Sequence, residues 1–347
     1  MKKFLSIALA LLMVCVMLPV VALAAEKTAS TYEELKSAIS TANDGDTIKL
    51  LADIDLSQTI TVNKTITLNM NGKKLYNTSD LWDKPTAEDD NWSLISVRGS
   101  GNLTITGNGT FAAKENDCYA VDVQESATVT IKNGTFIGNI HAVYVFAGTA
   151  NVEGGTYSVQ QKYPDSAKGD EFVLNCYDAN RANGTARINV TGGTFKNFNP
   201  ADNKAEGEGN NFADNSLVVQ KNNTVQNNDY YVGNAANEVI AAASKGEEIF
   251  VLNGTTLTNV PAGVIIQNGT DGEITVNGEK IGPNEGGDSG YVVPAPTTIV
   301  ITTPSEDTTP KTDDQKNPST GANDFVGLAA AAAVVALLGS AVVLRKK

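Results

Sequence analysis

The clearest order in the chain is an alternation of apolar and polar positions, in short runs, between roughly residues 45 and 200. Four of these runs close on the same phrase: LTITGNGTF (103–111), VTIKNGTF (129–136), ANVEGGTY (150–157) and INVTGGTF (188–195). Each reads as a β-strand of period two, rich in β-branched residues, followed by a glycine corner, a threonine and an aromatic. The closing aromatics Phe111, Phe136, Tyr157 and Phe195 lie 25, 21 and 38 residues apart. The first two intervals suit one turn of a solenoid; the third suits a turn with an insertion, at 160–170 or 178–184. Stacking in register predicts an interior ladder of the four aromatics, with Val129, Ile131, Val152, Ile188 and Val190 filling the same dry core. AVDV (120–123) and AVYV (142–145) repeat in the same way, so each turn supplies at least two strands.

The pattern changes period at both ends of this region. In TYEELKSAISTANDGDTIKLL (31–51) the residues Tyr32, Leu35, Ala38, Ile39 and Ala42 share one helical face. Thr31 and Glu34 have capping-box spacing, and Asn43 to Asp46 turn the chain into a strand from Thr47 to Leu51. A solenoid end exposes unpaired strand edges, and this helix is the expected cover. ANEVIAAASKGEEIFVL (236–252) and GEITVNGEKI (272–281) repeat the helix-then-strand order, predicting a small unit over 230–281. The polar stretch 201–229 reads as an irregular connection. Six of the eleven prolines lie from Pro283 to Pro318, and 282–316 reads as a disordered, extended stalk.

The two termini are apolar. Lys2 and Lys3 precede an uncharged run bent by Pro19, and Ala22 and Ala24 supply small residues at its exit. That predicts a signal peptide over 1–24 with cleavage after Ala24. Residues 325–344 are an uncharged run of membrane-crossing length, followed by Arg345, Lys346 and Lys347, which favour the cytoplasmic side.

Directly before that run stand Asn317, Pro318, Ser319, Thr320 and Gly321. Motif, apolar span and basic tail, in that order over 317–347, resemble the LPxTG-type sorting signal of Gram-positive surface proteins, with Asn317 where leucine is usual. The resemblance implies that a sortase cleaves between Thr320 and Gly321 and joins Thr320 to peptidoglycan, with a membrane helix only during biogenesis. The repeated phrases resemble the right-handed parallel β-helix of pectin-lyase-like proteins. That implies an all-β class; with the elements read above, the expected chain is a capped β-helix over 25–200, the unit over 230–281, a stalk and a C-terminal transmembrane helix.

Composition narrows the function. Net charge is −13; without the leader and everything after Thr320, 21 basic and 38 acidic residues remain, a net charge of −17. Such a chain repels phosphate backbones, so no nucleic-acid partner is expected. Cys118 and Cys176 remain after leader removal. They fall two turns apart, about 9–10 Å at the ordinary strand spacing, beyond the reach of a disulfide. Two unpaired thiols are expected, Cys176 in the core.

Candidate chemistry is sparse. The one histidine, His141, has no partner motif, which removes triads and histidine metal sites. The acids Glu88, Asp89, Asp90 and Asp170, Glu171 fall in apparent insertions and read as solvated loops. Trp82 and Trp92 flank the first of these. Aligning AVDV, AVYV and VLNC points Asp122, Tyr144 and Asn175 outward on adjacent turns; with Tyr177, Asp178 and Arg181 they would line a shallow groove. Aromatic, amide and carboxylate together suit a sugar, and an ordinary exposed sheet face accounts for them equally. The reading is an adhesin-like, wall-anchored protein that binds a glycan or another surface ligand and needs no cofactor or metal. The alternative is a wall-anchored polysaccharide lyase or glycoside hydrolase.

Overall fold

A computed structural model describes residues 24–81, 93–115, 119–161, 172–202, 212–221, 228–284 and 289–296. The expected leader up to 23, Trp82, Trp92, Cys118, both acidic stretches, the expected sorting motif at 317–321 and the apolar run 325–344 lie outside them. Residues up to Pro296 form one compact unit. Among the described residues no helix is long and apolar enough to cross a membrane.

The protein is mostly β, with long parallel sheets in the arrangement of a solenoid. The chain visits three sheets in a repeating order. A seven-stranded sheet takes Glu26–Ala29, Thr47–Leu50, Thr65–Asn69, Asn102–Thr106, Thr128–Ile131, Gly148–Val152 and Ala186–Val190. The parallel part of an eleven-stranded sheet takes Ile54–Asp55, Lys74–Tyr76, Thr110–Ala112, Thr135–Gly138, Thr156–Val159 and Gly193–Lys196. A five-stranded sheet takes Ile60–Val62, Ser93–Val97, Tyr119–Val123, Val143–Val145 and Leu174–Cys176. Three strands per turn, rather than the two legible in the repeats, wrap one core.

Strand alternation decides what that core contains. Val129, Ile131, Val152, Ile188 and Val190 are all buried. The aromatic ladder forms as its spacing predicts: Phe111 and Phe136 stack at 4.8 Å, Phe136 and Tyr157 at 5.1 Å, Tyr157 and Phe195 at 5.0 Å. These are near-optimal separations for offset rings. The Tyr157 hydroxyl is not stranded; it donates to the Gly154 carbonyl at 2.5 Å. The corner before each aromatic needs glycine. Gly155 sits at φ +101°, and a Cβ on Gly154 would lie 2.3 Å from the Lys132 carbonyl of the preceding turn.

Helix α1 (Tyr32–Ser40) closes the first end with Leu35, Ala38 and Ile39 buried. Thr31 Oγ1 accepts from the Glu34 N–H, as a capping box requires, but the Glu34 carboxylate takes the N–H of Ser30, one residue before the cap. The other end corrects two expectations. Within 201–229, Val218–Lys221 is a strand, paired antiparallel with both Asp229–Val232 and Glu248–Asn253. Asp229–Val232 in turn covers Gly193–Lys196 antiparallel, so the solenoid edge is capped by reversed strands. The expectation of an extended stalk from residue 282 does not hold over its first part, because Tyr291–Val292 pairs with Ile265–Asn268 and Val293 is buried. A short apolar run among polar neighbours carries little periodic signal, and only the distant partner strand makes it a strand. A separate apolar cluster, including Ala236, Ile240, Ile249, Val251 and Ile266, forms the core of this last part beside helix α3 (Asn234–Ala241). Helix α2 (Asp178–Ala182) occupies the insertion at 178–184.

Candidate functional site

The outward positions of the five-stranded sheet form two rows along the solenoid. Thr61, Ser96, Asp122, Tyr144 and Asn175 stand side by side in register, one per turn. Two residues further along each strand, Arg98, Gln124, Phe146 and Tyr177 continue the ladder, each N–H bonding to the carbonyl of the turn before. Beneath them Val97, Val123, Val145 and Cys176 point inward and are buried. The face is therefore fixed by the same alternation that builds the core.

The predicted groove residues divide on inspection. Asp122 is a correction: it points away from the core but is 1 % exposed. Its Oδ2 accepts from Ser96 Oγ at 2.9 Å, and Gln124 Nε2 folds back to donate to Oδ1 at 2.8 Å and Oδ2 at 3.1 Å. Arg98 Nε donates to the same Ser96 hydroxyl at 2.8 Å. A carboxylate so engaged fixes the sheet surface and is covered against ligand. Tyr144 is half-buried, held between Tyr119 at 4.8 Å and His141 at 5.5 Å.

His141 is the hinge of this cluster, although its sequence context gave it no role. It is buried, and its Nδ1 meets the Phe172 carbonyl at 2.7 Å, so Nδ1 carries the proton. Nε2 then accepts from Asn175 Nδ2 at 3.0 Å. Burial pulls its pKa down to about 4, against the opposing pull of the Phe172 and Ile140 backbone contacts. The neutral imidazole thus orients Asn175, whose Oδ1 is buried with no hydrogen-bond partner among the described residues.

At the end of the face the rings come into the open. Tyr177 is 43 % and Phe146 39 % exposed, and they stack at 4.8 Å. Asn180 of α2 donates to the Phe146 carbonyl at 2.7 Å and ties the helix to the preceding turn. Asp178 and Arg181 pair with each other at 3.3 Å across one turn of α2. So Tyr144, Asn175 and Tyr177 share one face, Asp178 and Arg181 follow Tyr177 on α2, and Asp122 is covered. Sequence reasoning missed Phe146, although Phe146 follows Tyr144 by two residues as Tyr177 follows Asn175. At the opposite end of the same rows, Thr61 and Asn63 line a cleft of about 410 Å³ beneath α1, shared with Tyr32, Lys36 and Gln58.

Among the described residues no group of three or more His, Cys, Asp or Glu side chains converges as a metal site. What the face offers is flat aromatic surface beside amide donors and acceptors, the chemistry that holds a sugar ring by stacking and hydrogen bonds. No protein-family model matches the chain, and neither a curated protein nor a solved structure does.

Proposed function

We propose that the chain is a secreted surface protein of a Gram-positive cell, adhesin-like, which presents a right-handed parallel β-helix of the pectin-lyase-like type to bind a glycan. A sortase would cut the 317–321 motif after Thr320 and join it to peptidoglycan, replacing the membrane helix at 325–344. The stalk would then carry the head through the wall. The observation that supports the binding half is the exposed Phe146–Tyr177 stack at the end of a row of polar outward residues. A monomeric solvent-facing sheet has little reason to show two stacked rings, whereas a sugar covers such rings with its apolar C–H face.

The test is a polysaccharide panel against purified 25–316, scoring retention and chain length together. Retention without shortening, lost on Tyr177→Ala, supports the binding role. Shortening of any polymer moves the protein to the lyase or hydrolase class, and neither retention nor shortening ends the glycan reading. The anchoring half is read separately, by mass spectrometry of the host wall for a muropeptide on Thr320.

A further inference from the structure

The described chain begins at Ala24, and the residue after it is already held at both of its polar atoms. The Ala25 carbonyl accepts from the Thr47 N–H at 2.8 Å, and the Ala25 N–H donates to Asp46 Oδ1 at 2.8 Å. The next residues, Glu26–Ala29, form the edge strand of the seven-stranded sheet, parallel to Thr47–Leu50. Asp46 is only 2 % exposed, and its other oxygen takes the N–H of Asn43 at 2.9 Å. The turn leading to it passes through Gly45 at φ +92°, whose own N–H bonds to the Thr65 carbonyl. A nearly covered carboxylate is thus built onto the backbone nitrogen that the signal-cleavage reading would release.

We propose that cleavage between Ala24 and Ala25 turns this hydrogen bond into an ion pair between the new Ala25 ammonium and Asp46, locking the first strand onto the mature solenoid. The inference rests on the secretion reading, but not on wall attachment or glycan binding. In the cleavage, water adds across the amide bond. Ala24 leaves with the leader as a carboxylate, and Ala25 keeps an amine that takes up a proton at neutral pH. The nitrogen then carries three donors and a full charge where it had one neutral donor. Charge-assisted hydrogen bonds of this kind are about twice as strong as neutral ones.

The surroundings favour the pair. The Asp46 carboxyl is held below its usual range, first by the Ala25 N–H, then by the Asn43 N–H, with Lys27 and Lys64 adding attraction against desolvation. Lys64 is itself tied to the Ser40 and Ala42 carbonyls at the end of α1. The other charges nearby are engaged elsewhere: Asp44 accepts from the Thr65 N–H, Glu34 from the Ser30 N–H, and Glu26 pairs with Lys49 at 3.9 Å. An edge strand frays from its free end, so a charge clamp on its first residue acts where the strand is weakest.

The signs of the pH dependence are fixed. The ammonium, its pKa raised by the carboxylate, stabilises below its unfolded value and loses this as pH rises through the folded value. Asp46, its pKa lowered, stabilises above its own unfolded value and loses this as pH falls. The pair should therefore act between these limits and vanish in alkali.

The experiment uses the mature chain, 25–320, in three forms: free amine, acetylated at Ala25, and extended by Ala24. Each is made with Asp46 and with Asp46→Asn. In the free-amine protein the Ala25 amine should titrate about one unit, or tenfold, above the ordinary range of about 7.7–8.0, and return to that range in Asp46→Asn. Its thermal midpoint should exceed those of the acetylated and extended forms at pH 6–7 and converge with them in alkali. An amine that titrates normally, equal midpoints in all three forms, or a secreted protein whose first residue is not Ala25 would each overturn the proposal. The acetylated form keeps the original N–H contact, so the comparison holds even if Asp46→Asn does not fold.

Discussion

Acid should loosen the outer face of the five-stranded sheet through His141. His141 is 6 % exposed, donates from Nδ1 to the Phe172 carbonyl and accepts at Nε2 from Asn175. A second proton can enter only at Nε2, where it meets the Asn175 amide nitrogen. The amide must then rotate so that its buried Oδ1, which has no partner among the described residues, takes the new hydrogen. Burial opposes that charge and places the pKa at about 4. In the unfolded chain the imidazole titrates near 6.5. As pH falls through that window the unfolded state binds the proton first, so the stability held above about pH 6.5 is lost by about pH 4. The gap is about 2.5 units, and at about 1.36 kcal/mol per unit the loss is roughly 3 kcal/mol. The perturbation is His141→Asn, which keeps a donor near the Phe172 carbonyl and cannot titrate.

Urea unfolding at several pH values between 7.5 and 4 measures both proteins. The variant should be less stable at pH 7.5, and the difference should shrink by about 3 kcal/mol toward pH 4. Carboxylates elsewhere contribute to both proteins alike and cancel. Because the chain has one histidine, its Cε1 proton gives a single NMR titration that needs no assignment. A midpoint near 6.5, or identical pH slopes in the two proteins, would refute the argument that burial sets the protonation state.

The remaining predictions concern the core and the exposed rings. Phe136→Ala removes the ring stacked on both Phe111 and Tyr157 and should cost about 3–5 kcal/mol in urea unfolding, among the largest losses from any single truncation in the solenoid. Tyr157→Phe leaves the Gly154 carbonyl without its donor at constant ring volume and should cost about 1–2 kcal/mol by the same measurement. Gly154→Ala drives a Cβ against the Lys132 carbonyl of the neighbouring turn and should lose about 1–3 kcal/mol, read as a lower thermal midpoint. Phe146→Ala or Tyr177→Ala should leave stability almost unchanged while weakening retention on a bound polysaccharide about three- to tenfold, measured by affinity electrophoresis.

The core was legible because a solenoid repeats one local rule. Phe111, Phe136, Tyr157 and Phe195 each follow a strand by the same glycine corner, so spacing alone put them in register. The groove was legible only as a direction. Parity places Asp122 outward, yet exposure depends on side chains from its neighbours, here Ser96 a turn earlier and Gln124 two residues on, which bury it. Phe146 was passed over because the repeated AVYV stops one residue before it, although its parity with Tyr144 is outward. His141 carried no signal because its partners, Phe172 and Asn175, lie a full turn away. Val218–Lys221 was hidden among asparagines, and its strand character comes from the two antiparallel partners it bridges.

Where the solenoid ends explains where the rings are exposed. Along an outward row each residue is flanked by those of the turns before and after, so an aromatic in mid-stack shows only its edge. The eleven-stranded sheet continues past the last turn through antiparallel strands. Among the described residues the five-stranded sheet does not: Leu174–Cys176 is its terminal strand, and the chain leaves it through Tyr177 into α2. The Tyr177 ring therefore has Phe146 on one side and, among the described residues, no strand of its own sheet on the other. A chain selected only for stability would place a polar residue or proline there, as edges usually carry. On the proposed glycan-binding role, a ligand would cover the two stacked rings at this terminus. The same logic makes the position specific. Moving an aromatic pair to Gln124 and Arg98 should not restore retention in Tyr177→Ala, because interior rows of the stack offer no ring face.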